Sequence, residues 1–367
     1  MKLSLLDPGL KTPEGHHFDL DLRLVRALAR RGHDVAVHGH ADPDPGLTAL
    51  AEEAGMRFHS TFRVSTYARL PQFPSPSEAY RTIELATAQD LAGVPIADMW
   101  FWPTLAPYQL AAALHGSRAV RQIGGVWWLP RFPHPVGAAS WAATARKLVD
   151  TGGPVVVGAY DELLCEGYRG FSPRLDIKRL PCPHDGTTND RKPASLRRIG
   201  FFGHQRAARG IDLIPELVGA LLAKGFEVVV QDSSGRLKRT GNDARITVLE
   251  YIEDFPSELA RCDAVIWPSH WEAYIQNLSG VVSECIATGV PVIVPSGCLP
   301  AQIAARYGCG VFFHEYSRAA ILDAVDEAAR EYSELAARAR AAATAWHSQN
   351  GTDRLAAWIE EHSGAVI

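Results

Sequence analysis

The sequence predicts an α/β protein of two doubly wound domains, each built on a parallel sheet, and three observations carry that prediction. Short apolar runs of strand length alternate with amphipathic runs of helix length along most of the chain, the pattern of a parallel sheet covered by helices on both faces. One turn-rich stretch, Pro181 to Pro193, breaks the alternation and has little apolar periodicity, as a linker does. At 367 residues and 47% hydrophobic composition, the chain exceeds what a single core usually organises. The expected division is 1–185, 186–345 and a closing helical segment, 346–367, that packs back toward the first domain.

In the first domain, Lys2 to Leu6 reads as a strand and a turn-rich loop follows to His17. Leu20, Leu22, Leu24, Val25 and Leu28 then mark an amphipathic helix ending at Arg31-Gly32, before a strand at Val35 to Val37. Strand, glycine-bearing loop, helix with a basic carboxyl end and strand make one right-handed βαβ unit. Gly15 in that loop can bring backbone close to a ligand, and His16 and His17 open the helix, where a solvated loop role competes with a catalytic one. Further helices are expected at Ser77 to Ala92, Leu105 to Leu114 and Asp161 to Gly167, with strands at Ala97 to Trp102, Ala119 to Ile123 and Val155 to Gly158. Gly124 to Pro135, with three prolines and three large aromatics, is expected to form no regular element and to cover the core or line a cleft wall. Arg118, Arg121 and Arg131 nearby would suit an acidic lipid or a phosphorylated acceptor, or simply solvated charge.

The second domain starts at Arg198. Its first strand, Ile199 to Phe202, enters a basic glycine loop, Gly203-His204-Gln205-Arg206-Ala207-Ala208-Arg209-Gly210, and then a helix with Ile214, Leu217, Val218 and Leu221 on one stripe. Strands at Val228, Ile246, Ala264, Pro291 and Gly310 follow, separated by helices at Pro256, Ser279, Pro300 and Ser317. A helical tail runs to Ala345, and Thr352 to His362 is a last helix.

The central stretch is Gln276 to Pro295. Ser279 is placed to cap a helix whose first residue, Gly280, has no side chain, so backbone N–H groups and the positive end of the helix dipole can meet an anion directly. Glu284, four residues on, lies on the same face. One ligand could therefore touch the helix start with phosphates and the carboxylate with hydroxyls, although capping and packing account for much of the pattern. Thr288-Gly289 ends the helix.

Composition narrows the partners. A net charge of -4 and a pI near 6.4, with no long basic block, speak against nucleic acid. The apolar run at Met1 to Asp7 is too short for a signal peptide and no stretch of about eighteen apolar residues occurs, so the expectation is a soluble cytoplasmic protein. Six scattered cysteines without a Cys-x-x-Cys pair suit reduced core thiols.

The order of pieces from 198 to 313 resembles the carboxyl-terminal donor domain of GT-B fold glycosyltransferases, most closely glycosyltransferase family four (group 1). The landmarks are Phe202-Gly203 with Arg209-Gly210, Val248-Leu249-Glu250-Tyr251-Ile252, Pro268-Ser269, and Glu284 with Gly289-Val290-Pro291-Val292. Gly15 and Arg31-Gly32-His33-Asp34-Val35 extend a weaker likeness into the first half. The resemblance implies two Rossmann-like domains facing a cleft and a transferase that moves a sugar from a nucleoside-diphosphate sugar to an acceptor (glycan, lipid-linked or small molecule), with retention and without a metal or other cofactor. It implies that Glu284 binds the ribose, Arg209 and Arg206 the diphosphate, the backbone near Tyr251 and Ile252 the base, and that Gly15 and the neighbouring His16 approach the phosphates. Gly203, His204, Ser279 and Gly280 complete the implied donor site. A lipid-linked acceptor would bring peripheral contact of the first domain with the inner membrane face.

Two positions depart from the family's pattern. Gln276 stands where the family has a glutamate eight residues before the one matched by Glu284, and an amide there can hydrogen-bond sugar hydroxyls but cannot add negative charge beside an oxocarbenium ion. His204 stands where arginine usually follows the glycine, with Arg206 close enough to compensate. Gln276, Glu284 and His134 are the catalytic candidates, with His16 and His17 behind them. Two Asp-x-Asp matches, Asp19-Leu20-Asp21 and Asp42-Pro43-Asp44, would be the metal site of a GT-A enzyme; the first sits in a predicted helix and the second in a proline turn. Alternatives on the same scaffold are a nucleotide-sugar epimerase and a non-catalytic nucleotide-sugar binding protein.

Overall fold

A computed structural model describes residues 1–66, 75–115, 120–129, 143–144, 146–147, 149–150, 155–171, 174, 176–187, 189, 194–203, 207–232, 235, 237 and 243–363. The chain forms two compact units, Met1–Pro183 with Gly351–Ile367, and His184–Asn350.

Unit 1 contains β1 (Lys2–Leu6), α1 (His16–Arg30), β2 (Asp34–His40), α2 (Pro45–Glu53), β3 (Phe58–Phe62), α3 (Pro76–Leu91), β4 (Met99–Trp102), α4 (Pro107–His115), β5 (Arg121–Val126), β6 (Val155–Ala159), α5 (Glu162–Phe171) and β7 (Ile177–Arg179). The seven strands lie in the order β3-β2-β1-β4-β5-β6-β7 and pair parallel throughout. After β1 the chain winds outward through β2 and β3, then returns to the other side of β1 with β4. The carboxyl edge between β1 and β4 is therefore the topological switch point, where open α/β sheets bind ligands.

α2, β3 and β7 were not expected from the sequence. β3 reads Phe-His-Ser-Thr-Phe and is largely exposed, and β7 has three residues, so neither edge strand carries the apolar run of a central strand. The expected break at Gly124 is also corrected, since Gly124, Gly125 and Val126 complete β5. Those glycines serve packing rather than turning: a Cβ on Gly124 would meet the Leu105 side chain at 2.2 Å, and one on Gly125 would meet the Tyr160 hydroxyl at 2.4 Å. Beyond them Trp127 packs on Tyr160, ring centroids 4.5 Å apart, and donates from Nε1 to the Pro103 carbonyl. Unit 1 closes with the helix Thr352–Ser363, which packs on α1 through Arg23 to Thr352, Arg30 to Asp353 and Arg31 to Glu360.

Unit 2 is a six-stranded parallel sheet in the order β10-β9-β8-β11-β12-β13. Its strands are β8 (Arg198–Phe201), β9 (Glu227–Gln231), β10 (Ile246–Leu249), β11 (Ala264–Ile266), β12 (Val292–Pro295) and β13 (Gly310–Phe313). The helices are α6 (Ile214–Ala223), α7 (Phe255–Ala260), α8 (Gly280–Thr288), α9 (Leu299–Arg306), α10 (Arg318–Arg330) and α11 (Tyr332–Gln349). Ile199, Phe201, Ile214, Leu217, Val218, Leu221, Val228, Val230, Ala264, Ile266 and Ile293 are all buried in one cluster. Its switch point falls between β8 and β11.

All six cysteines are free and buried, and burial pushes Cys262 and Cys309 up to about 12. Among the described residues no helix is long and apolar enough to cross a membrane.

Candidate functional site

α8 begins as its sequence requires. Ser279 has extended backbone and its hydroxyl accepts from the Val282 N–H at 3.4 Å, and the left-handed Gly289 (φ 75°) closes the last turn. Gly280 follows as the first helical residue. Glu284, a turn later, is only 5% exposed, and each carboxylate oxygen has one partner: Oε2 lies 2.6 Å from His184 Nδ1, and Oε1 accepts from the Gly186 N–H at 3.0 Å. The stretch read as a linker thus reaches the helix face on which Gly280 and Glu284 stand.

Arg209 ends a short 3-10 turn after β8. Its Nε and Nη1 are buried with no hydrogen-bond partner among the described residues, and the guanidinium lies 5.9 Å from the ring centroid of Tyr274. Gly203 makes room for it: with φ 97°, this residue would place a Cβ 2.2 Å from Arg209 Nη1 and 3.1 Å from Val281 Cγ2. Arg209 and the first turn of α8 therefore meet over one glycine. Gly203 also donates its N–H to Gln231 Oε1 at 2.8 Å. Gly210, φ 77°, is equally obligatory, since a Cβ there would lie 2.1 Å from the Pro268 carbonyl.

Further polar atoms beyond β8, β11 and β13 have no partner among the described residues, and two of their residues, Tyr274 and Tyr316, lie beside Arg209 and Gly210. Trp267 Nε1, Ser269 Oγ, the Tyr274 hydroxyl, Gln276 Oε1 and the Tyr316 hydroxyl are all buried and unsatisfied. Trp267 and Tyr274 meet edge to face with centroids 4.6 Å apart, and Tyr316 stacks on His270 at 3.9 Å. Buried polar groups are nearly always hydrogen-bonded, because each orphan costs about 1–3 kcal/mol. A run of them beyond the carboxyl ends of β8 and β11, with a cation among them, is what a polyanionic, hydroxyl-bearing ligand would satisfy. Trp267, Tyr274 and Tyr316 escaped sequence reading because their periodicity is that of core aromatics.

Of the other expected residues, Tyr251 is exposed and Ile252 half-buried, just beyond β10. His134, His204 and Arg206, with Arg118 and Arg131, lie outside the described residues. In unit 1, Gly15 precedes α1 with φ 93° and no side-chain cap, and His16 is exposed, its ring 4.3 Å from that of His17. His17 is drawn inward instead. Its Nδ1 lies 2.6 Å from Oδ2 of the fully buried Asp7, whose Oδ1 accepts from the Gly9 N–H at 2.9 Å. Burial opposes charge on Asp7, but His17 beside it and these hydrogen bonds hold its carboxyl below the usual range. Burial, with the Asp7 carboxylate close by, pushes Asp21 well above that range.

Neither Asp-x-Asp pair forms a cation cage. Asp19 is exposed and paired with Arg23 while Asp21 is buried, and Asp44 accepts from the Gly46 N–H as the cap of α2. Among the described residues no group of three or more His, Cys, Asp or Glu side chains is placed to hold a metal ion.

Two doubly wound parallel sheets, the second with this helix start, are the parts of the GT-B class, and solved structures agree. The chain is similar to sucrose-phosphate synthase from Thermosynechococcus elongatus, with TM-score 0.67, 12% identity and coverage of 98% of each chain. It is similar to Anabaena Alr3699/HepE in complex with UDP and glucose, with TM-score 0.68, 14% identity and 100% of each chain covered. A third likeness is to the Streptomyces sp. SF2575 glycosyltransferase SsfS6 complexed with thymidine diphosphate, with TM-score 0.57, 17% identity and coverage of 98% of this chain and 99% of that one. At such identities the likeness is one of fold. No curated protein sequence matches the chain. Residues 206–346, within unit 2, match the family of glycosyl transferases group 1. The protein has the GT-B fold and is a glycosyltransferase, its second unit carrying the match to glycosyl transferases group 1.

Proposed function

We propose that the protein moves a sugar from a nucleoside-diphosphate sugar to an acceptor hydroxyl on a glycan, a lipid-linked saccharide or a small molecule, with retention and without a metal ion. The observation that carries this reading is Arg209: a guanidinium with two buried, unpartnered nitrogens, beside Gly203 and the first turn of α8, in a group 1 domain. The diphosphate would lie between Arg209 and the open N–H groups of α8, and Arg206 and His204 belong to the same loop. As the nucleoside diphosphate leaves, negative charge grows on it, and a guanidinium and helix-start amides held in place stabilise that charge without reorganising.

Glu284 would receive the ribose hydroxyls. A carboxylate has about four lone-pair sites, so two bonds from its own chain leave capacity for two more. Gln276, half-buried with its Oε1 unsatisfied, would meet the sugar, and the backbone at Tyr251 and Ile252 the base. Gly15 and His16 are assigned to the donor's phosphates by the family resemblance alone. The Anabaena and Streptomyces structures hold UDP and thymidine diphosphate, which makes these two nucleotides the first donors to try.

The test is release of nucleoside diphosphate from UDP- and TDP-sugars across an acceptor panel, in the wild type and in Glu284→Ala. Turnover should fall at least tenfold in the variant. Undiminished turnover and nucleotide affinity in Glu284→Ala would remove the central residue of the reading, and NMR of the anomeric product decides retention.

A further inference from the structure

We propose that His184 is a diphosphate-contacting residue of the donor site, held against the start of α8 by Glu284. The inference rests on the donor reading above.

His184 sits in the turn-rich stretch after Pro183, with no motif to single it out. The structure pins it on three sides. Its Nδ1 lies 2.6 Å from Glu284 Oε2, the next residue but one donates from the Gly186 N–H to Oε1 of the same carboxylate, and its carbonyl accepts from Trp346 Nε1 at 2.8 Å. The ring therefore has one orientation. Its opposite edge covers Gly280: a Cβ added there would come within 3.4 Å of His184 Cε1 and 3.6 Å of Nε2. The imidazole spans the distance from the carboxylate in the middle of α8 to the N–H groups at its beginning.

A second observation at the same place points to an anion. Arg209 brings its buried, unpartnered Nη1 to Gly203 beside Val281, the residue after Gly280. A diphosphate on the helix start would be met by Arg209 at Val281 and by His184 at Gly280. The ring is 13% exposed at its side chain, enough for an edge contact while the body stays packed. With Nδ1 directed at Glu284, Nε2 is the ring atom left to donate to a phosphate oxygen in front, the carboxylate standing behind the ring. No bond to the ring forms or breaks; its hydrogen bond to a non-bridging oxygen strengthens as the leaving group gains charge. Glu284 thereby acts twice, on the ribose directly and on the diphosphate through His184.

The experiment measures, by calorimetry, the affinity of UDP and TDP and of the matching nucleosides for the wild type, His184→Asn and His184→Gln. Asparagine places an amide nitrogen near the position of Nδ1 and keeps the Glu284 contact; glutamine places one near Nε2. His184→Asn should lose about tenfold in diphosphate affinity, keep nucleoside affinity and melting temperature, and with the sugar donor lower kcat more than KM. His184→Gln should recover part of the diphosphate affinity. Wild-type diphosphate affinity in His184→Asn, or equal loss for nucleoside and diphosphate, overturns the proposal and leaves the donor reading standing. Failure of the wild type to bind UDP, TDP, ADP or GDP sinks both. Should His184→Asn not fold, His184→Gln is compared with His184→Leu: a higher diphosphate-to-nucleoside affinity ratio for glutamine supports the contact, and equal ratios overturn it.

Discussion

The same structural position is finished differently in the two units. Beyond β1 and β4 in unit 1, Asp7 accepts from His17 and Gly9, while the Asp21 carboxyl, raised by burial and by Asp7, and the Thr104 hydroxyl have no hydrogen-bond partner among the described residues. Beyond β8 and β11 in unit 2, the buried atoms without a partner among the described residues are two nitrogens of Arg209 and polar atoms of Trp267, Ser269, Tyr274, Gln276 and Tyr316. In unit 1 the orphaned atoms are oxygens beside a paired acid; in unit 2 they include a guanidinium with an indole, hydroxyls and an amide, a set that an anionic and hydroxyl-rich ligand would satisfy. The chemical kind of the orphaned groups at the carboxyl edge of a doubly wound sheet, more than their presence, thus marks a ligand site.

The largest effect is expected at the paired acid. Asp7→Ala removes the carboxylate that the buried His17 Nδ1 and the Gly9 N–H share, and should cost unit 1 about 3–4 kcal/mol of stability, read by chemical denaturation. A loss under about 1 kcal/mol would show that the pairing is incidental. The next tests the guanidinium: Arg209→Met should cost about 3 kcal/mol, or a hundredfold, in UDP or TDP affinity while leaving the ligand-free melting temperature unchanged or raised, because a buried cation without a partner is replaced by an apolar chain of similar length. A large drop in ligand-free stability would mean that Arg209 is structural.

The smallest effect concerns acid. His38 in β2 stacks on His59 and is held down to about 4 by burial, then by His59 and Arg57. Its folded value lies below its unfolded value near 6.5, so the unfolded chain binds the extra proton between those two pH values and stability falls as pH is lowered through that window. The full shift corresponds to roughly 3 kcal/mol, reduced to about 2 by solvent near the ring. Amide exchange should show β2 losing protection between pH 6.5 and 4, and His38→Leu should flatten that response. An identical acid response in the variant would assign it elsewhere.

What the sequence made legible follows burial. β1, β8 and β11 to β13 were readable because central parallel strands are apolar on both faces, and α8 because Ser279, Gly280 and Gly289 spell out its two ends. The edge elements α2, β3 and β7 were not, having no continuous apolar signal. Gly124 and Gly125 read as breakers because the side chains that demand them, Leu105 and Tyr160, lie elsewhere in the sequence. Arg209 and Glu284 stood out through charge and spacing. His184 did not, since its partner lies 100 residues away and no local pattern encodes that contact.

The two points at which the chain passes between units carry a consequence of their own. Cys182 accepts from the Gly351 N–H at 2.8 Å, so the segment between them leaves unit 1 and re-enters it at one spot. During synthesis, unit 2 has all its residues before the ribosome reaches the helix that covers α1, and unit 1 must wait, half-dressed, for that helix to emerge. A ribosome stalled just past Asn350 should expose a protease-resistant second half on a still digestible first half.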